Sequence, residues 1–154
     1  MIMEFIALTK PKIIVLLLIT ALGGLFLATG GVPQLWLSLS VLLGGSLAAG
    51  GANSINNYLD RDIDVKMTRT SHRPVASGSI KPVFALSFGI LLNVVAFSLL
   101  WQFANLLSAI LTISATLFYV FVYTMGLKRT TPHNIVIGGA AGAIPPMVGW
   151  AAVT

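Results

Sequence analysis

The chain contains no cysteine, which excludes disulfides and thiolate metal sites and leaves the redox compartment unreported. Charge is almost as scarce. Only 8% of the 154 residues are Asp, Glu, Lys or Arg, and only four of them are acidic. Soluble domains carry about a quarter. A chain that is 56% hydrophobic and so poor in charge cannot clothe itself in a water-facing surface. Its apolar runs approach the length of a bilayer-crossing helix and do not alternate as barrel strands would, so the sequence predicts an all-α, polytopic transmembrane bundle in a lipid bilayer. The net charge of +5 raises nucleic acid as a partner. The cations stand at the ends of apolar runs, however, where membrane topology accounts for them, and no nucleic-acid partner is expected.

Five spans are expected, at about residues 13–29, 35–59, 83–103, 106–127 and 135–154. The first follows Lys10 and Lys12 but lacks a small-residue cleavage pattern after it, so it reads as a retained helix. Residues before Pro11 could lie along the interface. Small residues crowd the second span, from Gly44 to Ala52, and would let neighbouring backbones approach. The last span carries Pro145-Pro146, which should break or kink it. With the N-terminus in the cytoplasm, Lys10, Lys12, Arg61, Lys66, Arg69, Arg73, Lys81, Lys128 and Arg129 all fall on the cytoplasmic side. The opposite turns are uncharged. Trp36, Trp101 and Trp150 then lie near the outer ends, and Tyr119 and Tyr123 are read as belt residues.

One stretch stands out against this background. Residues 53–74, NSINNYLDRDIDVKMTRTSHRP, hold Asp60, Asp62 and Asp64 together with Arg61, Lys66, Arg69 and Arg73. Asn56, Asp60 and Asp64 recur every fourth residue, so on a helix they drift only about 40° per step and share one face over roughly 12 Å. Asp62 falls off that face. Two carboxylates and an amide oxygen in this array suit a hard cation such as Mg²⁺, which takes oxygen ligands and shares substrate phosphates. The cations downstream could hold phosphate oxygens directly. A solvated cytoplasmic loop would explain the cations but not the aligned carboxylates. An EF-hand is excluded, because its sixth and twelfth positions would be Val65 and Ser71. No phosphate-cradling G-x-x-x-x-G-K-[ST] pattern occurs.

The run Asn56-x-x-x-Asp60-Arg61-Asp62-Ile63-Asp64, followed by Met67, Arg69-Thr70 and Arg73-Pro74, resembles the first aspartate-rich motif of the UbiA-type intramembrane prenyltransferases. Tyr123-Thr124, Leu127-Lys128-Arg129, Thr131, and Asn134 through Pro145-Pro146 to Gly149-Trp150 resemble the haem-modifying branch of that superfamily. The resemblance implies transfer of a farnesyl group from farnesyl diphosphate to a vinyl group of haem b, giving haem O, with Mg²⁺ as cofactor, in a bacterial plasma membrane. It implies Asn56, Asp60 and Asp64 as metal-holding catalytic residues. Asn53, Arg61, Lys66, Arg69, Arg73, Lys128 and Arg129 become candidate contacts to diphosphate or haem propionate. Asn57 stands where many superfamily members have Asp. The family has about nine helices and a second aspartate-rich motif, absent here, so the chain is expected to match an N-terminal half. Alternatives are a prenyltransferase acting on a quinone precursor or chlorophyll-type acceptor, a cation-binding transporter, and a structural membrane subunit. His72 and His133 lie in polar loops and read as exposed side chains.

Overall fold

The computed structural model describes residues 2–154. Helices account for the ordered elements: α1 (Ile2–Thr9), α2 (Pro11–Thr29), α3 (Leu35–Leu59), α4 (Arg61–Asp64), α5 (Pro82–Phe103), α6 (Leu106–Leu117) continuing as a π-helical segment (Phe118–Leu127), and α7 (Asn134–Ala151). Five helical stretches are long and apolar enough to cross a membrane: Pro11–Thr29, Leu35–Leu59, Pro82–Phe103, Leu106–Leu127 and Asn134–Ala151. Local chemistry sets their ends. Pro11 and Pro82 open α2 and α5, where a missing N–H costs nothing and the fixed φ suits the first turn. Gly30, at φ 64°, closes α2 by donating its N–H to Phe26 O. The Asn105 side chain caps α6 by accepting from Ser108 N at 2.8 Å.

The spans close into a ring. α3 packs on α2 and α5, α5 on α6, α6 on α7, and α7 back on α2. Glycines allow the tightest contacts. A Cβ on Gly51 would stand 2.6 Å from Gly89 O, and one on Gly89 would stand 2.7 Å from Gly51 O, so the α3 and α5 backbones meet directly. Gly24 lies against the Pro146 backbone and Gly149 against that of Ala21, which joins α2 to α7 in the same way.

Of the expected break or kink, the break does not occur: α7 runs through Pro145 and Pro146 without interruption. The prolines deprive Ala141 and Gly142 of their usual N–H partners. Both of those residues line the internal cavity, where freed carbonyls are tolerated.

Sequence places the loops at two ends, and the contacts agree. Lys10, Arg73, Lys128 and Arg129 gather around the aspartate stretch. The Asn105 side chain donates to Ala151 O, and Trp36 meets Phe103 edge-on, at the other end. The three tryptophans are exposed there, as belt residues are. α1 docks at the charged end. Its Leu8 is buried with Val75, Ile80 and Ala85, and Phe5 meets Phe88 edge-on at 5.0 Å. Reporter fusions after Pro33 and Gln102 are expected to register outside, and fusions after Ser77 and Thr131 inside. A cytoplasmic signal at Pro33 would contradict the orientation.

Candidate active site

The aspartate stretch straddles the end of α3. The helix closes at Asp60, whose N–H still reaches Asn56 O at 2.9 Å, and Asp64 N in turn reaches Asp60 O at 2.8 Å. The four-residue register therefore survives the junction. Asn56, Asp60 and Asp64 are all buried, at 2%, 0% and 3% exposure. Asp62 points outward to Arg129, whose guanidinium grips both its oxygens at 3.0 and 2.8 Å. Those hydrogen bonds hold the Asp62 carboxyl below its ordinary value.

Each buried group has its own cation. Lys128 Nζ donates to Asp60 Oδ2. Arg73 Nη1 spans both oxygens of Asp64, at 2.9 and 2.8 Å. Lys10 Nζ donates to Asn56 Oδ1 at 3.0 Å. The Asn56 amide nitrogen then turns to Asp60 Oδ2 at 2.7 Å and to Thr124 Oγ1 at 3.3 Å. Asp60 Oδ1 is buried and has no hydrogen-bond partner among the described residues. Three cations against two carboxylates leave the cluster positive before any ligand arrives. Burial, and then the Arg73 and Lys128 charges, pull the Lys10 ammonium down from 10.5 to about 8.

The π-helical segment delivers two of these groups. Thr124 Oγ1 donates five residues back to Tyr119 O at 2.9 Å, and Lys128 N reaches Tyr123 O at 2.8 Å. The wider turn rotates Thr124 inward and carries Lys128 onto Asp60. Lys10 arrives from the joint between α1 and α2, in a left-handed backbone conformation with φ 55°. The α1 carbonyls at that joint are satisfied by Asn53, which donates to Thr9 O at 2.9 Å, and Asn57, which donates to Leu8 O at 3.4 Å.

Below the cluster lies an apolar cavity of about 350 Å³ between α2, α3, α6 and α7. Ile13, Leu17, Ala48, Asn53, Thr116 and Tyr119 are among its walls. Tyr119 is thus a cavity residue, not a belt residue, and stacks on Tyr123 with ring centroids 5.3 Å apart.

Of the sequence candidates, Asn56, Asp60, Asp64, Arg73 and Lys128 come together, and Asn53 borders the same cavity. Arg61 turns away, with its guanidinium 4.4 Å over the Tyr58 ring. Lys66 and Arg69 are exposed, and Arg129 serves the exposed Asp62. His72 and His133 are exposed, as read. Lys10, assigned by sequence only to topology, and Thr124 join the site. No sequence signal pointed to either: Lys10 is brought in by the α1–α2 joint, and Thr124 by the five-residue turn of the π-helical segment.

The model of the UbiA prenyltransferase family matches residues 17–154. The chain belongs to the UbiA prenyltransferase family. Its curated relatives include proteins named protoheme IX farnesyltransferase. That of Roseiflexus sp. (strain RS-1) is 56% identical over 98% of this chain and 28% of its own length. That of Symbiobacterium thermophilum is 52% identical over 98% of this chain and 50% of its own. That of Streptomyces coelicolor is 56% identical over 97% and 48%. The chain therefore spans about half the length, or less, of these relatives. A solved digeranylgeranylglyceryl phosphate synthase superimposes with a TM-score of 0.88 at 22% identity, over 99% of this chain and 53% of that one, which establishes the shared fold.

Membership makes the exposed pair a useful control. In a chimera where this chain replaces the matching residues of the Symbiobacterium thermophilum relative, Asp62→Ala is expected to change turnover by less than about twofold, because an exposed ion pair contributes little. An Asp62 loss as large as that of Asp60 would sink the distinction between buried and rim carboxylates.

Proposed function

We propose that this UbiA-family chain supplies one wall of an active site that transfers a farnesyl group from farnesyl diphosphate to haem b, giving haem O. The observation that carries this reading is the buried Asn56–Asp60–Asp64 array, ringed by three cations, at the mouth of an apolar cavity. The names of the curated relatives support the choice of acceptor.

The donor set suits Mg²⁺: hard oxygens only, with Asp60 Oδ1 buried and unpartnered. Among the described residues no three Asp, Glu, His or Cys gather, so Asp60, Asp64 and the Asn56 amide are the residues that would hold the cation, with substrate phosphate oxygens as further ligands. Bound there, Mg²⁺ would neutralise charge on the diphosphate.

The rest of the chemistry falls to the chain. Lys10, Arg73 and Lys128 ring the place where the diphosphate lies and stabilise the negative charge that grows on it as the allylic C–O bond breaks. The electron pair of that bond leaves with the diphosphate. The cavity walls keep water from the allylic cation until the vinyl carbon attacks it. Water then adds hydroxide to the resulting haem-side cation and releases one proton. A transporter reading fits poorly, because the carboxylates sit at one end of the bundle, not at its midplane.

The test is chromatography of haems from a host lacking its own enzyme. Membranes with the chimera are expected to form haem O. The 154-residue chain alone is expected to form none, because its carboxylate array is one wall of the site. Haem O from the chain alone would overturn the shared-site argument. Prenylation of a quinone precursor in place of haem would redirect the acceptor assignment.

A further inference from the structure

The bond from Lys10 to Asn56 has a consequence for how the site is loaded. Lysine carries donors only, so Asn56 must face it with its carbonyl oxygen. Its amide NH₂ is then what it shows to Asp60, at 2.7 Å from Oδ2. An NH₂ group is no ligand for a hard cation. While Lys10 stays in place, the array offers carboxylates but withholds its third oxygen. The chain also goes to some length to put Lys10 there. A lysine at φ 55° is in a region that non-glycine residues avoid, and two buried asparagines fasten the α1 end beside it.

We propose that Lys10 is a positioning residue that couples cation loading to diphosphate loading. An anionic phosphate oxygen is a stronger partner for an ammonium than a neutral amide oxygen is. A diphosphate entering the cluster therefore draws Lys10 off Asn56, and the freed amide oxygen becomes available to the divalent cation. Each ligand binds poorly alone and better in the presence of the other, and the coupling is reciprocal. The inference rests on the metal–diphosphate reading of the site.

Calorimetry on the purified chimera tests it, with Mg²⁺ and inorganic pyrophosphate titrated separately and together. Three variants are compared. Lys10→Gly removes the cation and suits the backbone conformation. Lys10→Met removes the cation while keeping the stem. Lys10→Arg keeps the charge. Complexation of Mg²⁺ by pyrophosphate in bulk solution is common to all and cancels in the comparison. The unmodified protein is expected to bind Mg²⁺ at least about tenfold more tightly once pyrophosphate is present. Lys10→Gly and Lys10→Met are expected to bind Mg²⁺ alone more tightly than the unmodified protein and to show a smaller coupling, what remains coming from phosphate oxygens shared with the metal, and Lys10→Arg is expected to retain the full coupling. Unchanged coupling in whichever cation-less variant folds would overturn the role of Lys10. Failure of the unmodified protein to bind Mg²⁺ and pyrophosphate, singly or together, would overturn the underlying reading instead.

Discussion

Asp60→Ala in the chimera is expected to reduce haem O formation by about a hundredfold or more, and to destabilise the fold as well. Asp60 is fully buried and holds both Lys128 and Asn56. Removing it strands the Lys128 ammonium against a site built for a pair. Breaking one side of a buried pair costs about 3 kcal/mol. The two effects separate. Adding Lys128→Met to Asp60→Ala removes the stranded charge and is expected to recover much of the stability but none of the turnover. Thermal unfolding in detergent and chromatography of extracted haems read the two quantities independently. Full activity in Asp60→Ala would remove the carboxylate from the mechanism. Equal stability of the single and double variants would mean that Lys128 finds another partner.

Gly51→Val is expected to be among the most damaging changes away from the site. The Cβ it introduces would stand 2.6 Å from Gly89 O, and a backbone carbonyl cannot step aside as a flexible side-chain end can. α3 and α5 would have to separate along the seam that supports Asn56 and Asp60. Overpacking at such a contact costs about 3 kcal/mol. Gly23→Ala is the matched control, since a Cβ there meets nothing within 4 Å and alanine favours the helix. The folded yield from membranes should fall sharply for Gly51→Val and stay level for Gly23→Ala. Similar yields would show that the α3–α5 seam adjusts more freely than its geometry implies.

The spans were legible because a bilayer fixes how long an apolar run must be, and Pro11, Pro82 and Gly30 mark ends by local rules that do not depend on neighbours. The register of Asn56, Asp60 and Asp64 was legible for a similar reason: it is set by one helix. Contributions from other elements were not. Lys10 reads as a topology signal until the fold brings it across to Asn56. Conversely, Arg61, Lys66 and Arg69 look like site residues because they adjoin the aspartates in sequence, yet side chains next to a face need not lie on it. The π-helical turn is invisible in a uniformly apolar segment, because what stabilises it is the capture of Thr124 by Asn56 and of Lys128 by Asp60. Pro145-Pro146 misled for the opposite reason. A local rule predicts a break or a kink, yet the helix runs on, and Gly24 and Gly149 pack it backbone to backbone against α2.

The most direct measurement is a structure of the chimera with Mn²⁺ in place of Mg²⁺ and a non-reacting thiodiphosphate analogue of farnesyl diphosphate, read by the anomalous signal of the metal. A metal peak is expected within bonding distance, about 2.1 Å, of Asp60 Oδ1 and shared with the diphosphate, with the Lys128 and Lys10 ammonium groups turned toward phosphate oxygens and the prenyl chain in the cavity beside Tyr119. A metal bound elsewhere, with Lys128 still on Asp60 and Arg73 still on Asp64, would contradict it.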